Sequence, residues 1–132
     1  MIVVDTSVWI EYFRSRDTKI VKTLHHLLDN EFIFLPRVVY LEILNGAGRK
    51  NISTLRRVLS ALPVLEIEKS TWGITEQWIE ESSKKGQRFG VVDLLIAALA
   101  KENKSSTWSL DADFKRMASL DFVRLHDPGI NL

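Results

Sequence analysis

The chain has 132 residues, 45% of them hydrophobic, which suits one compact domain over 1–132 with its own core and leaves little room for a second. Its 18 basic and 17 acidic residues give a formal net charge of +1, so the field of the whole molecule does not favour nucleic acid and local clusters must carry any such role. No apolar run reaches the roughly 18 residues of a membrane span, no signal-peptide pattern opens the chain, and the absence of cysteine excludes disulfides and thiolate metal sites, which favours a cytoplasmic protein whose metals would sit on oxygen or histidine.

A β-branched run over 2–5 ends in Asp5 and passes at once into Thr6, Ser7 and the apolar Val8, Trp9, Ile10, Tyr12 and Phe13, the pattern of a buried strand turning into a helix. Ile20, Leu24, Leu27 and Leu28 recur at helical spacing and predict an amphipathic helix over 17–30. A second strand is predicted over 32–35. Pro36 then opens a helix through Val39, Tyr40, Ile43 and Leu44, which Gly46 or Gly48 ends. Ile52, Leu55, Val58, Leu59 and Leu62 predict a helix over 52–62, stopped by Pro63 before a strand over 64–67. A long helix follows over 69–85 with Trp72, Thr75, Trp78 and Ile79 on one side. Gly86 and Gly90 bracket a loop, and 91–100 is apolar nearly all round, as a helix in the interior would be. A strand over 107–110, a short helix over 112–119 and a last strand over 122–125 complete the chain. Strands alternating with helices predict an α/β fold, a three-layer domain with a mostly parallel sheet of about five strands.

In such a sheet ligands gather outside the carboxyl ends of the strands, where strand order reverses. Asp5 closes the first predicted strand and Asp111 lies just past the fourth, so two carboxylates reach one edge from distant parts of the chain. Glu42 sits about two turns into the helix after the second strand, and Asp93 near the start of the apolar helix that leads to the fourth. Asp93 is conspicuous because an acid among core residues is costly unless it is hydrogen-bonded, paired or bound to a metal; capping its helix and ligating an ion are equally compatible with its spacing.

Four segments together resemble the PIN domain, and within it the VapC-type toxins of toxin–antitoxin pairs. They are Asp5, Thr6 and Ser7 closing the first strand, the run 42–46 from Glu42, the run 93–100 from Asp93, and the run 109–114 that holds Ser109, Asp111 and Asp113. The resemblance implies a PIN-like fold and a metal-dependent endoribonuclease, with Asp5, Glu42, Asp93 and Asp111 as the acidic site and Thr6, Ser7 and Ser109 supporting it. The run 109–114 offers two candidates for the fourth acid, and Asp111 is preferred because Ser109 stands two residues before it; Asp113 is expected beside the site as a supporting residue, and it also fits an exposed acid in a first helical turn.

Clustered carboxylates repel one another and either take up protons or hold a cation, and an all-oxygen set suits Mg2+ or Mn2+. Asp5 and Asp93 are the leading ligands, with Glu42 free to orient the attacking water and Asp111 to serve a second ion or the surroundings of the first. The resemblance further implies cleavage to a 5′-phosphate and a 3′-hydroxyl, a VapB-like antitoxin that covers apolar helical surface and brings an arginine near the acids, and a homodimer. Trp9, Tyr12 and Phe13 are candidates for that apolar surface, with burial in the core an equal alternative.

Rival readings fail on particular residues or lose ground. A haloacid-dehalogenase-like phosphatase needs a second Asp two residues beyond Asp5, where Ser7 stands, and a receiver domain needs a Lys at the end of the fifth strand, where Leu125 stands. A catalytically silent binding module would have no use for all four acids. His25 and His26 are neighbours on a helix and project about 100° apart, so they and His126 are expected at the surface or in a loop. Trp9, Trp78 and Trp108 are expected in the core. The basic groups Arg14 with Arg16, Arg49 with Lys50, Arg56 with Arg57, and Lys84, Lys85 and Arg88 are expected to be solvated.

Overall fold

A computed structural model describes residues 1–14 and 16–129; residue 15, residues 130–132 and the side chain of Lys50, which fall within the expected domain, lie outside the described residues. The first strand, β1 (Ile2–Val4), is buried at every position and has parallel neighbours on both sides, β2 (Ile33–Pro36) and β4 (Ser106–Trp108). A two-residue edge strand, β3 (Val64–Leu65), pairs in parallel with β2, so the four strands run in the order β3-β2-β1-β4. Register is set by Ile2 opposite both Ile33 and Ser106, and by Val4 opposite Trp108. Strands covered on both faces need apolar side chains throughout, and the sequences IVV and IFLP provide them.

The connections are helical: α1 (Thr6–Arg14) and α2 (Thr18–Asn30) after β1, α3 (Arg37–Gly46) and α4 (Ile52–Leu59) after β2, α5 (Lys69–Lys84) and α6 (Val91–Glu102) after β3, and α7 (Asp113–Ser119) after β4. Asp17 caps α2, its carboxylate accepting from the backbone of Lys19 and Ile20. Helix α6 is the central one, with every residue from Leu94 to Ala100 buried. Trp9, Trp78 and Trp108 are in the core as expected, whereas Trp72 is 54% exposed.

The chain moves outward from β1 through β2 to β3 and then returns to place β4 on the other flank of β1. Strand order therefore reverses between β1 and β4, and the crevice at their carboxyl ends is where this architecture puts a ligand site.

Five expectations are corrected. The segment 122–125 is no fifth strand: it makes a single parallel bridge, Thr107 with Leu125. Asp121 turns sharply there (φ 64°), and Phe122 is drawn against Trp78, stacked at 4.4 Å between ring centroids. The strand predicted over 107–110 stops at Trp108, because the Ser109 hydroxyl and the Leu110 amide are taken up by Asp5 and Ser7. The strand predicted to 67 ends at Leu65, and Glu66 instead receives the Arg37 guanidinium. The buried face of α5 is Thr71, Thr75, Trp78 and Ser82, not the one holding Trp72 and Ile79; Glu102 fixes this rotation by accepting from the hydroxyls of Ser70 and Thr71. Helix α4 also ends at Leu59 rather than 62, as the residue before Pro63 disfavours helical geometry.

Candidate active site

Asp5 is the first residue beyond β1, and its backbone N–H still bonds to the Trp108 carbonyl at 2.9 Å, so the ends of β1 and β4 are locked together. Its side chain is only 4% exposed. Burial of a carboxylate is tolerable here because Oδ2 accepts from Ser7 Oγ at 2.8 Å, Ser109 Oγ at 2.8 Å and the Ser7 backbone N–H at 3.4 Å. The two serine oxygens are themselves 3.3 Å apart. Each also receives a backbone N–H: that of Leu110 on Ser7 Oγ and that of Asp111 on Ser109 Oγ, both at 3.0 Å. Ser7 and Ser109 thus form a hydroxyl frame that fixes Asp5 and shapes the turn delivering Asp111.

Glu42, exposed on α3, accepts from Thr6 Oγ1 at 2.6 Å. This bond ties the outer side of the site to the first turn of α1.

Asp93 is held very differently. Gly90 occupies the N-cap of α6 and offers no side-chain cap, so Asp93, third in the helix, is not the capping residue. Among the described residues no hydrogen bond or ion pair reaches its carboxylate. Carboxylate oxygens of Asp93, Asp111 and Asp113 lie within 4.8 Å of one another. Burial pushes the Asp93 carboxyl up from 3.8 to about 6, and the like charges of Asp5, Asp111, Glu42 and Asp113 add to the effect in that order. All four candidate acids therefore act on one hollow, although Asp5 and Glu42 stand outside the tightest group.

Asp113, expected beside the site as a supporting residue and as an acid in a first helical turn, is half-buried, contributes an oxygen to the tight group, and pairs with Arg116 at 2.9 Å. Its backbone N–H donates to Asp111 Oδ1 at 2.9 Å, which keeps the two carboxylates adjacent. Sequence offered a signal in the two-residue spacing of Asp111 and Asp113, but spacing alone does not reveal which way the first turn of α7 faces.

The donor set is hard oxygen throughout, closely spaced and short of partners at Asp93, a chemistry that fits a hydrated divalent ion such as Mg2+ or Mn2+. Histidine plays no part in this set. His25 and His26 are exposed on α2, with His25 against the Tyr12 hydroxyl at 3.0 Å, and His126 packs near the Trp108 ring. A groove of about 710 Å³, lined in part by Ser82, Arg88, Phe89, Gly90 and Val91, adjoins the first turn of α6. The hollow lined by Lys101, Lys104 and Arg124 lies at the start of β4, the edge opposite the acids.

Comparison with known proteins adds independent findings. A family profile described as PIN domain matches residues 2–120. The chain is similar to Ribonuclease VapC11 of Mycobacterium tuberculosis, 31% identical over 125 residues, covering 91% of this chain and 93% of that one. It is similar to the VapC ribonuclease Mb1587 of Mycobacterium bovis to the same extent, 31% over 125 residues with 91% and 93% coverage. Among solved structures, VapBC2 from Rickettsia felis, bound to a DNA fragment from its promoter, contains a chain that superposes with a TM-score of 0.81 at 22% identity, covering 96% of this chain and 98% of that one.

Proposed function

The chain belongs to the PIN-domain family, and from that premise we propose that it is a metal-dependent endoribonuclease, the toxin of a type II toxin–antitoxin pair, acting in the cytoplasm. One observation carries the reading: Asp93, with its carboxyl raised to about 6 and no hydrogen-bond partner among the described residues, stands within 4.8 Å of two further carboxylates. An ionised group so placed demands a cation. Relatives named as VapC ribonucleases supply the substrate class.

Asp5, Glu42, Asp93 and Asp111 are the catalytic carboxylates, with Asp113 joining Asp93 and Asp111 in holding the ion. A bound Mg2+ or Mn2+ supplies Lewis acidity that strengthens water as a nucleophile and offsets charge developing on the phosphate. The chain's own contribution is placement. Ser7 and Ser109 hold the Asp5 carboxylate in place, and its negative charge acts on Asp93. Thr6 holds Oε1 of Glu42, leaving the second oxygen to orient the attacking water and accept its proton. The products are a 5′-phosphate and a 3′-hydroxyl.

The partner is a VapB-like antitoxin, for which the structure offers a shallow groove of about 180 Å³ lined by Ile10, Phe13, Ile43 and Leu55, among others. Trp9 does not contribute, since it is fully buried. A homodimer accompanies this reading.

The test is RNA cleavage by the purified protein in Mg2+, with and without EDTA, beside Asp93→Asn. Cleavage confined to the wild type with metal, leaving 5′-phosphate ends, is the expected result. Persistence of cleavage in EDTA or in the variant contradicts it, and inactivity of the wild type under all divalent ions favours a silent PIN-fold module.

A further inference from the structure

We propose that Arg116 is a positioning residue for the acidic site: anchored on the loop before α6, its guanidinium fixes the Asp113 carboxylate beside Asp93 and Asp111. The inference rests on the metal-dependent reading above and assigns a role to a residue outside the acidic set.

Four contacts converge on this one side chain. One nitrogen, Nη2, donates to Asp113 Oδ1 at 2.9 Å and to the Arg88 carbonyl at 3.2 Å, while Nη1 donates to Gln87 Oε1 at 3.2 Å. The guanidinium also lies over the Phe89 ring, 4.4 Å from its centroid. Phe89 is itself in the core, 8% exposed and edge-on to Phe122, so the platform beneath Arg116 is rigid. Taken alone, an Arg three residues after an Asp on an exposed helix is a surface pair that contributes little. The additional contacts set this one apart, because they hold the guanidinium from the far side of a chain crossing and leave it one orientation from which to meet Asp113. A planar fork can satisfy these directions together, which a lysine ammonium cannot.

The position matters because Asp113 contributes an oxygen to the group spanning 4.8 Å. Three carboxylates this close splay apart unless something restrains them. Arg116 restrains the one that sits on the short helix α7, whose own backbone packing is limited to seven residues. Partners outside the coordination sphere that orient ligands in this way are typically worth about 10–100-fold in metal affinity.

Charge and position make opposite forecasts, which renders the proposal testable. A cation beside the cluster repels an incoming dication, so by Coulomb's law alone its removal tightens metal binding. If Arg116 acts by position, its removal weakens binding. Mn2+ calorimetry on the wild type, Arg116→Ala, Arg116→Lys, Asp113→Asn and the double variant Asp113→Asn with Arg116→Ala reads this directly, with thermal melts to register folding. The expected result is a Kd about tenfold weaker for Arg116→Ala, less than half of that loss recovered by Arg116→Lys, and a further loss below about threefold when Arg116→Ala is placed on Asp113→Asn. Unchanged or tighter binding by Arg116→Ala, full rescue by lysine, or an equal loss in the Asp113→Asn background each overturns the proposal. A wild type that takes up no Mn2+ overturns the metal reading itself, an outcome distinct from wild-type binding that the variants leave unaltered.

Discussion

Two carboxylates approach the same hollow from contrasting surroundings. Asp5 is almost fully buried, yet one of its oxygens takes three hydrogen bonds from Ser7 and Ser109. Asp93 is only half-buried, yet among the described residues nothing bonds to it and its carboxyl is pushed up to about 6. Depth of burial therefore does not decide which acid is under electrostatic stress; the supply of donors does. Asp5 is satisfied by the protein and belongs to its architecture, whereas Asp93 is left for something the chain does not provide.

The sharpest way to break this contrast is to neutralise each acid. Asp93→Asn is expected to lower RNA cleavage by more than about 100-fold while leaving the metal-free protein as stable as the wild type or more so, since it removes like-charge repulsion; cleavage assays and urea unfolding check the two halves. Asp5→Ala is expected to destabilise the fold by about 2–3 kcal/mol, because the hydroxyls of Ser7 and Ser109 lose their acceptor where β1 and β4 meet. A urea midpoint unmoved by Asp5→Ala would place that residue outside the architecture.

A pH series sharpens the comparison with a smaller effect. The Asp93 carboxyl ionises near 3.8 when unfolded and near 6 when folded. Between these values the unfolded chain gives up the proton more readily, so the contribution of Asp93 to stability is fully present below about pH 4, falls as pH rises through 6, and is level above that. The loss attributable to Asp93 is about 1–2 kcal/mol once solvent screening of a half-exposed group is allowed for. It is measured as the difference between wild type and Asp93→Asn in metal-free buffer, and a difference independent of pH would contradict the assignment. The smallest effect is expected at the outer rim: Thr6→Val removes the bond to Glu42 and should reduce kcat by about threefold to tenfold, equivalent to a single hydrogen bond, with KM and stability nearly unchanged.

Much of this was legible before folding. The β-branched run ending in Asp5, the apolar helix interrupted by Asp93 and the alternation of strands with helices follow from local pattern, and local pattern is strongest where an element is buried on all sides, as β1 and α6 are. What escaped was decided by partners far along the chain. Phe122 pairs with Trp78 instead of extending the sheet, and α5 turns its threonines inward because Glu102 receives Thr71. Asp113 faces the cluster because α7 is held to the loop carrying Gln87 and Arg88. No periodicity encodes those contacts, and the role of Arg116 could not have been read from its neighbours in sequence.

The most direct test of the central claim is a crystal soaked in Mn2+ and measured for anomalous scattering. The account predicts a peak in the hollow bounded by Asp93, Asp111 and Asp113, with Asp5 and Glu42 facing it and no such peak in Asp93→Asn. A peak lodged elsewhere, or one that survives in the variant, would contradict it.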